Sequence, residues 1–234
     1  MNPKAISGKI YHLLNRGVDK RKIFMDKEDH LRFIHDLFEF NDANPVPDAL
    51  YTFTNTLDIG RPKVRIERKP RKILVDILAF VLMPNHYHLL VMPRQDDAIS
   101  LFMKKLNMGY AKYFNEKYDR SGALFQGKYK CVAIERDAHF IHIPYYIHLN
   151  PLDLKFPEWR ERKIHNYKKV FEYLELYRWS SHLDYLGKNN FPSVTNRKLL
   201  LDYFGGENNY RKSILEWLKE IDFEESVIKS YLLE

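Results

Sequence analysis

The sequence predicts an α+β fold with an α-helical C-terminal extension. Three observations carry it. Short apolar runs at 10–14, 73–82 and 86–92 are bounded by turn residues, as strands are. Between them lie stretches with apolar residues at helical spacing. After about residue 156 the strand pattern disappears, and helical patterns follow that are broken at Phe191-Pro192-Ser193 and Gly205-Gly206.

Residues 10–14 form the expected first strand, closed by the turn-like Asn15-Arg16-Gly17. Asp26 is placed to cap a helix running to about Phe40, with Leu31, Ile34, Leu37 and Phe38 on one face. Residues 44–72 then carry four prolines and no helical period, and end in a run rich in Arg and Lys that includes Arg65. This insertion is read either as a solvated hairpin or as a phosphate-contacting arm. Residues 73–82 read as a buried strand, Pro84-Asn85 as a turn, and 86–92 as the returning strand. A strand has period two, so His86 and His88 share one face and Tyr87 takes the other.

Asp97 is placed to cap the next helix, whose stripe is Ile99, Phe102, Met103, Leu106, Tyr110 and Tyr113. Lys104, Lys105 and Lys112 fall largely off that stripe, as a solvated face or as phosphate contacts. Residues 122–134 read as extended. Asp137 then caps a helix to Leu149, stopped by Pro151. The domain boundary is expected near 155, with residues 156–234 as a helical extension holding Trp159, Trp179 and Trp217.

Composition bounds the function. With 45% hydrophobic and 29% charged residues, the 234-residue chain has the make-up of a soluble globular protein. A net charge of +7 and 15% aromatic residues suit a polyanion whose bases stack on rings, a single-stranded nucleic acid above all. The single cysteine, Cys131, excludes an internal disulfide and a cysteine-based zinc cluster. No apolar run reaches membrane-spanning length, and none follows the N-terminal methionine as a leader would, so a cytoplasmic location is expected.

Two motifs carry the chemistry: Met83-Pro84-Asn85-His86-Tyr87-His88 and Tyr146-Ile147-His148-Leu149-Asn150-Pro151. Two imidazoles on one strand face make an incomplete ligand set, which suits a catalytic cation with open positions, or else a satisfied buried pair. Tyr146 and Asn150, four apart, share a helix face. The Asn150 carbonyl could join the two histidines at a metal, leaving Tyr146 one turn away as a nucleophile. Tyr145 points elsewhere, as a packing or stacking residue, and His148 also faces away.

At these motifs the chain resembles the single-tyrosine HUH transposases, the IS200-like family, and within them the REP-associated branch. Supporting matches are His12-Leu13-Leu14-Asn15-Arg16-Gly17, Leu124-Phe125-Gln126-Gly127-Lys128-Tyr129 and Trp179-Ser180-Ser181-His182. The resemblance implies a ferredoxin-like antiparallel sheet, the HUH endonuclease fold, over residues 1–155. It implies a divalent ion, Mg²⁺ or Mn²⁺, on His86, His88 and Asn150, and single-stranded or hairpin DNA as partner. It implies nicking by Tyr146 through a 5′-phosphotyrosine, and leaves both monomer and homodimer open. Among basic residues Arg16, Lys128 and Lys130 flank the matching motifs and come first as DNA contacts, ahead of Lys104, Lys105 and Arg65. The family usually follows Asn-Pro with a Val-Arg-Ala-Gly-like run, and this chain instead has Leu152-Asp153-Leu154-Lys155. The competing reading is a non-catalytic single-strand-binding protein, since a ferredoxin-like sheet also binds single strands without chemistry.

Overall fold

The computed structural model describes residues 5–45, 70–134, 137–161 and 163–220, with the backbone alone for 137–141. The greater part of the 44–72 insertion, Arg65 included, lies outside the described residues, as does the end of the C-terminal extension.

The elements run β1 (Ile10–Arg16), α1 (Lys27–Glu39), β2 (Val75–Met83), β3 (His86–Pro93), α2 (Ala98–Lys117), β4 (Lys130–Ile134) and α3 (Asp137–Leu149). The strands form one sheet in the order β2-β3-β1-β4, and all three pairings are antiparallel. This is the expected ferredoxin-like arrangement, and it places His86 and His88 on an inner strand.

Alternation along the strands divides the molecule into two cores. Leu13, Tyr87, Leu89 and Val91 face one way, into a cluster with Phe33 and Leu37 of α1 and Phe102, Leu106 and Tyr110 of α2. Burying each large apolar side chain here contributes on the order of 2 kcal/mol. Leu90, Val81 and Met83 face the other way, against Ile143, Tyr146 and Ile147 of α3.

Local chemistry explains where elements begin and end. Asp26 caps α1 as expected: its carboxylate accepts from the Asp29 amide at 3.0 Å, and Asp29 reciprocates towards the Asp26 amide. Asp97 holds the cap position of α2, but its backbone is left-handed (φ 61°) and its side chain makes no cap hydrogen bond, contrary to expectation. β1 runs two residues past its expected end, because Asn15 and Arg16 pair with Tyr87 and His86 across the ladder. Pairing overrides the local turn propensity. Of the extended stretch 122–134, Lys130–Ile134 joins the sheet, and Phe125 forms an isolated bridge with Gly17.

The C-terminal region supplies α4 (Tyr167–Leu176), α5 (His182–Tyr185), α6 (Lys198–Phe204) and α7 (Glu207–Glu220), preceded by 3-10 turns at Asn150–Leu154 and Pro157–Glu161. These helices share a core with α3: Trp159, Phe171, Leu174, Phe204, Tyr210 and Trp217 pack in one cluster with Tyr145, Tyr146 and Ile147. The region also covers the outer edge of β2. The Leu82 amide donates to the Trp179 carbonyl at 2.8 Å and the Ser181 amide to the Phe80 carbonyl at 3.0 Å. The Tyr177 and Tyr185 hydroxyls donate to the Leu82 and Leu78 carbonyls, each at 2.6 Å. An edge strand left bare would be a template for pairing with another chain. No helix among the described residues is long and apolar enough to cross a membrane.

Candidate active site

β1 and β3 build the floor of the site. In the ladder His88 lies opposite Leu14 and His86 opposite Arg16, so His86, His88, His12, Leu14 and Arg16 share one sheet face. His12 and His88 are both fully buried. Their rings stack with centroids 5.1 Å apart, and His12 Nε2 lies 2.9 Å from His88 Nδ1, one nitrogen donating and the other accepting. His86 stands edge-on to His88 at 5.0 Å, and its Nδ1 is 2.7 Å from Asn85 Oδ1 in the tight turn. Carbonyl oxygens only accept, so His86 Nδ1 carries the proton and Nε2 is left with its lone pair.

α3 places the tyrosine above this floor. The Tyr146 ring meets His88 edge-on at 5.7 Å and His12 at 6.3 Å. Tyr146 is fully buried, as is Asn150 one turn further on. Neither the oxygen nor the nitrogen of the Asn150 amide has a hydrogen-bond partner among the described residues. A buried amide with both ends unsatisfied is costly and calls for an explanation, such as an ion.

The donor set fits a divalent cation. His86 and His88 each use Nδ1 in a hydrogen bond, which leaves Nε2 as the ligand atom and fixes the ring, as outer partners of metal-bound imidazoles do. Burial, then His86, His12 and Arg160, push the His88 imidazole well below its ordinary pKa, which keeps it in the neutral form a ligand requires. Asn150 would add a carbonyl oxygen. Among the described residues no cluster of three or more His, Cys, Asp or Glu could hold a metal, so an ion here depends on that amide and on substrate oxygens.

The remaining residues of interest are placed as follows. Tyr145 stacks on Phe204 at 5.1 Å with 23° between the rings, and burial raises its hydroxyl to about 12. His148 turns away from the sheet histidines into the C-terminal core. Arg16 reaches Gln126 Oε1 at 2.6 Å through Nε. Lys130 stands opposite Leu14 and so belongs to the histidine face; Lys128 precedes it in an exposed loop. Lys104 is exposed on α2, which packs on the opposite face of the sheet. The Lys105 ammonium donates to the Asp42 and Asn44 carbonyls.

Two residues at this site went unassigned from sequence. His12 was visible inside a matching motif, but nothing local says that β1 lies beside β3. Arg160 carries no motif at all, yet its guanidinium carbon sits 5.4 Å from the Tyr146 ring centroid.

The family model described as transposase IS200 like matches residues 53–150, a span that holds His86, His88, Tyr146 and Asn150. Among solved structures, the REP-associated tyrosine transposase bound to a REP hairpin superposes with a TM-score of 0.50 at 14% identity, covering 83% of this chain and 88% of that one. At that identity the likeness concerns the fold. The tRNA(His) guanylyltransferase from Saccharomyces cerevisiae reaches a TM-score of 0.36 at 8% identity, over 97% of this chain and 84% of that one, too low to bear on function. No curated protein matches the chain.

Proposed function

We propose, from the premise of an IS200-like transposase, that this chain nicks and rejoins single-stranded DNA at hairpin-forming sites through Tyr146. The observation that carries the reading is the Tyr146 ring standing edge-on to His88 and His12, over the floor of the site. His86, His88 and Asn150 would hold Mg²⁺ or Mn²⁺, which when bound would polarise the scissile phosphate. The Tyr146 phenolic oxygen attacks phosphorus and gives up its proton, forming the 5′-phosphotyrosine. The bond to the 3′ oxygen breaks, and that oxygen takes a proton to become a hydroxyl. A 3′-hydroxyl of a second strand reverses both changes and restores the tyrosine. One phosphoester is exchanged for another, so no nucleotide is consumed.

Arg16 and Lys130, on the histidine face, and Lys128 beside them would hold the DNA backbone; Lys104, Lys105 and Arg65 are further contacts in this reading. A homodimer is compatible with it, and sedimentation of the chain with and without DNA decides between monomer and dimer.

The test is a covalent-adduct assay with labelled hairpin DNA from the gene's own neighbourhood and Mg²⁺ or Mn²⁺. A DNA-linked band on a denaturing gel that needs metal, vanishes in Tyr146→Phe and persists in Tyr145→Phe is the expected result. The complete burial of Tyr146 favours a second reading, a single-strand-binding protein without chemistry. Tight hairpin binding with no adduct under any metal would establish that reading instead.

A further inference from the structure

The C-terminal region sends a cation over the candidate nucleophile. Arg160 lies on the 3-10 turn Pro157–Glu161. Its Nε and Nη2 donate to the two oxygens of Asp153 at 2.9 and 2.6 Å, a bidentate pair. Asp153 Oδ1 also accepts from Trp159 Nε1 at 2.6 Å. The guanidinium lies 4.9 Å from the Trp159 ring centroid and 5.4 Å from that of Tyr146. A planar cation fixed by a two-point carboxylate and two ring faces has little rotamer freedom left to lose when it binds an anion.

Exposure gives this placement its meaning. The Tyr146 side chain is fully buried, whereas the Arg160 side chain is 26% exposed. The guanidinium therefore connects the buried ring to solvent, on a side from which a polyanion can approach.

We propose that Arg160 is a catalytic residue that binds the scissile phosphate beside Tyr146, and that Asp153 is the positioning residue that holds it there. The inference rests on the reading of Tyr146 as nucleophile. A guanidinium fork matches two non-bridging phosphate oxygens, and charge accumulates on those oxygens as the fifth bond forms.

Two measurements test the proposal. The first is the rate of adduct formation on hairpin DNA in Arg160→Gln, Arg160→Lys and Asp153→Asn. The second is hairpin binding across salt concentration with the same changes in a Tyr146→Phe background. Arg160→Gln is expected to slow adduct formation by about 10²–10³-fold, as removal of a transition-state donor does. It should also flatten the salt slope by about 0.7, the value of one single-strand phosphate contact. Arg160→Lys, which keeps the charge and loses the fork, should keep the slope and recover part of the rate. Asp153→Asn keeps the positive charge but loosens the hold on the guanidinium, so it should keep the slope, with a loss of about tenfold in rate. Arg160→Gln and Asp153→Asn remove the same ion pair, so a purely structural role makes them alike in both measurements, and that result overturns the proposal. A wild-type adduct rate and slope in Arg160→Gln overturns it as well. If the unsubstituted chain forms no adduct, the reading of Tyr146 fails, and an unchanged slope in Arg160→Gln would then overturn the phosphate contact separately.

Discussion

Two buried histidine clusters flank α3, and they differ in how their nitrogens are used. On the sheet side, His12 and His88 share one hydrogen bond and His86 is oriented by Asn85, beneath Tyr146. On the C-terminal side, His148 Nε2 meets Ser181 Oγ at 2.7 Å and its Nδ1 meets the Tyr210 hydroxyl at 2.8 Å. That hydroxyl is in turn 2.8 Å from His182 Nδ1, and Ser181 Oγ accepts the Phe80 amide at 2.9 Å. A Ser–His contact of 2.7 Å looks like a nucleophile and its base, but both residues are fully buried and both imidazole nitrogens are occupied. This second cluster is a clamp. It joins the helix that carries Tyr146 to β2 and to α7. His148 spends both ring nitrogens on Ser181 and Tyr210, whereas the sheet histidines are oriented beneath Tyr146, and composition alone does not reveal that difference.

The comparison can be broken most strongly at the clamp. His148→Ala removes a buried ring and leaves the Ser181 and Tyr210 hydroxyls without their partner. A loss of about 3–5 kcal/mol in unfolding free energy is expected, read from urea midpoints at constant slope. A loss below about 1 kcal/mol would show that the network does not bind α3 to the C-terminal region. Tyr210→Phe, which deletes one hydroxyl shared by two histidines, should cost about 1–2 kcal/mol.

The sheet cluster should respond in metal affinity instead. His86→Ala, at a half-buried position, is expected to weaken Mn²⁺ binding on the order of 100-fold while changing stability by less than about 1 kcal/mol. Titration of Mn²⁺ by electron paramagnetic resonance reads this directly, and unchanged affinity would return the pair to an ordinary buried contact. His12→Asn removes the partner that orients His88, and a loss of about tenfold is expected, as for other outer-shell partners.

A different kind of effect concerns protons. Burial holds His182 at about 4, against Glu175, which raises it, and Arg211 and Lys188, which lower it. The folded value is below the unfolded one, so the unfolded chain takes up the proton first as pH falls. The contribution of His182 to stability is therefore complete above about pH 6.5 and is lost progressively between there and about 4, at up to about 1.4 kcal/mol per pH unit. His182→Gln should remove one proton's worth of that slope. Parallel stability–pH curves for the two proteins would mean that His182 does not titrate differently in the folded state.

Much of the fold was legible locally. The Pro84-Asn85 turn and the parity of His86 and His88 follow from strand geometry, and the Tyr146–Asn150 spacing from helical periodicity. The Asp26 cap followed from chemistry within a single turn. Asp97 misled, because its backbone is left-handed and its side chain makes no cap hydrogen bond, which residue type alone does not reveal. The matching motif at 179–182 was visible, but its role along the β2 edge was not, since nothing in its own residues names the strand that it joins.

The sequence by itself determined which residue types alternate on β3, which face of α3 carries Tyr146 and Asn150, and that the chain carries a net positive charge. These depend on periods of two and of 3.6 residues and on summed charge, all of which act over a few positions or over the whole chain. Tertiary structure alone decided that His12 stacks on His88 across 76 residues, that His148 is locked to Ser181 and Tyr210, and that Arg160 lies over Tyr146. Those contacts join segments far apart in the chain, and they exist because the sheet order and the shared core of α3 with the C-terminal helices bring the segments together.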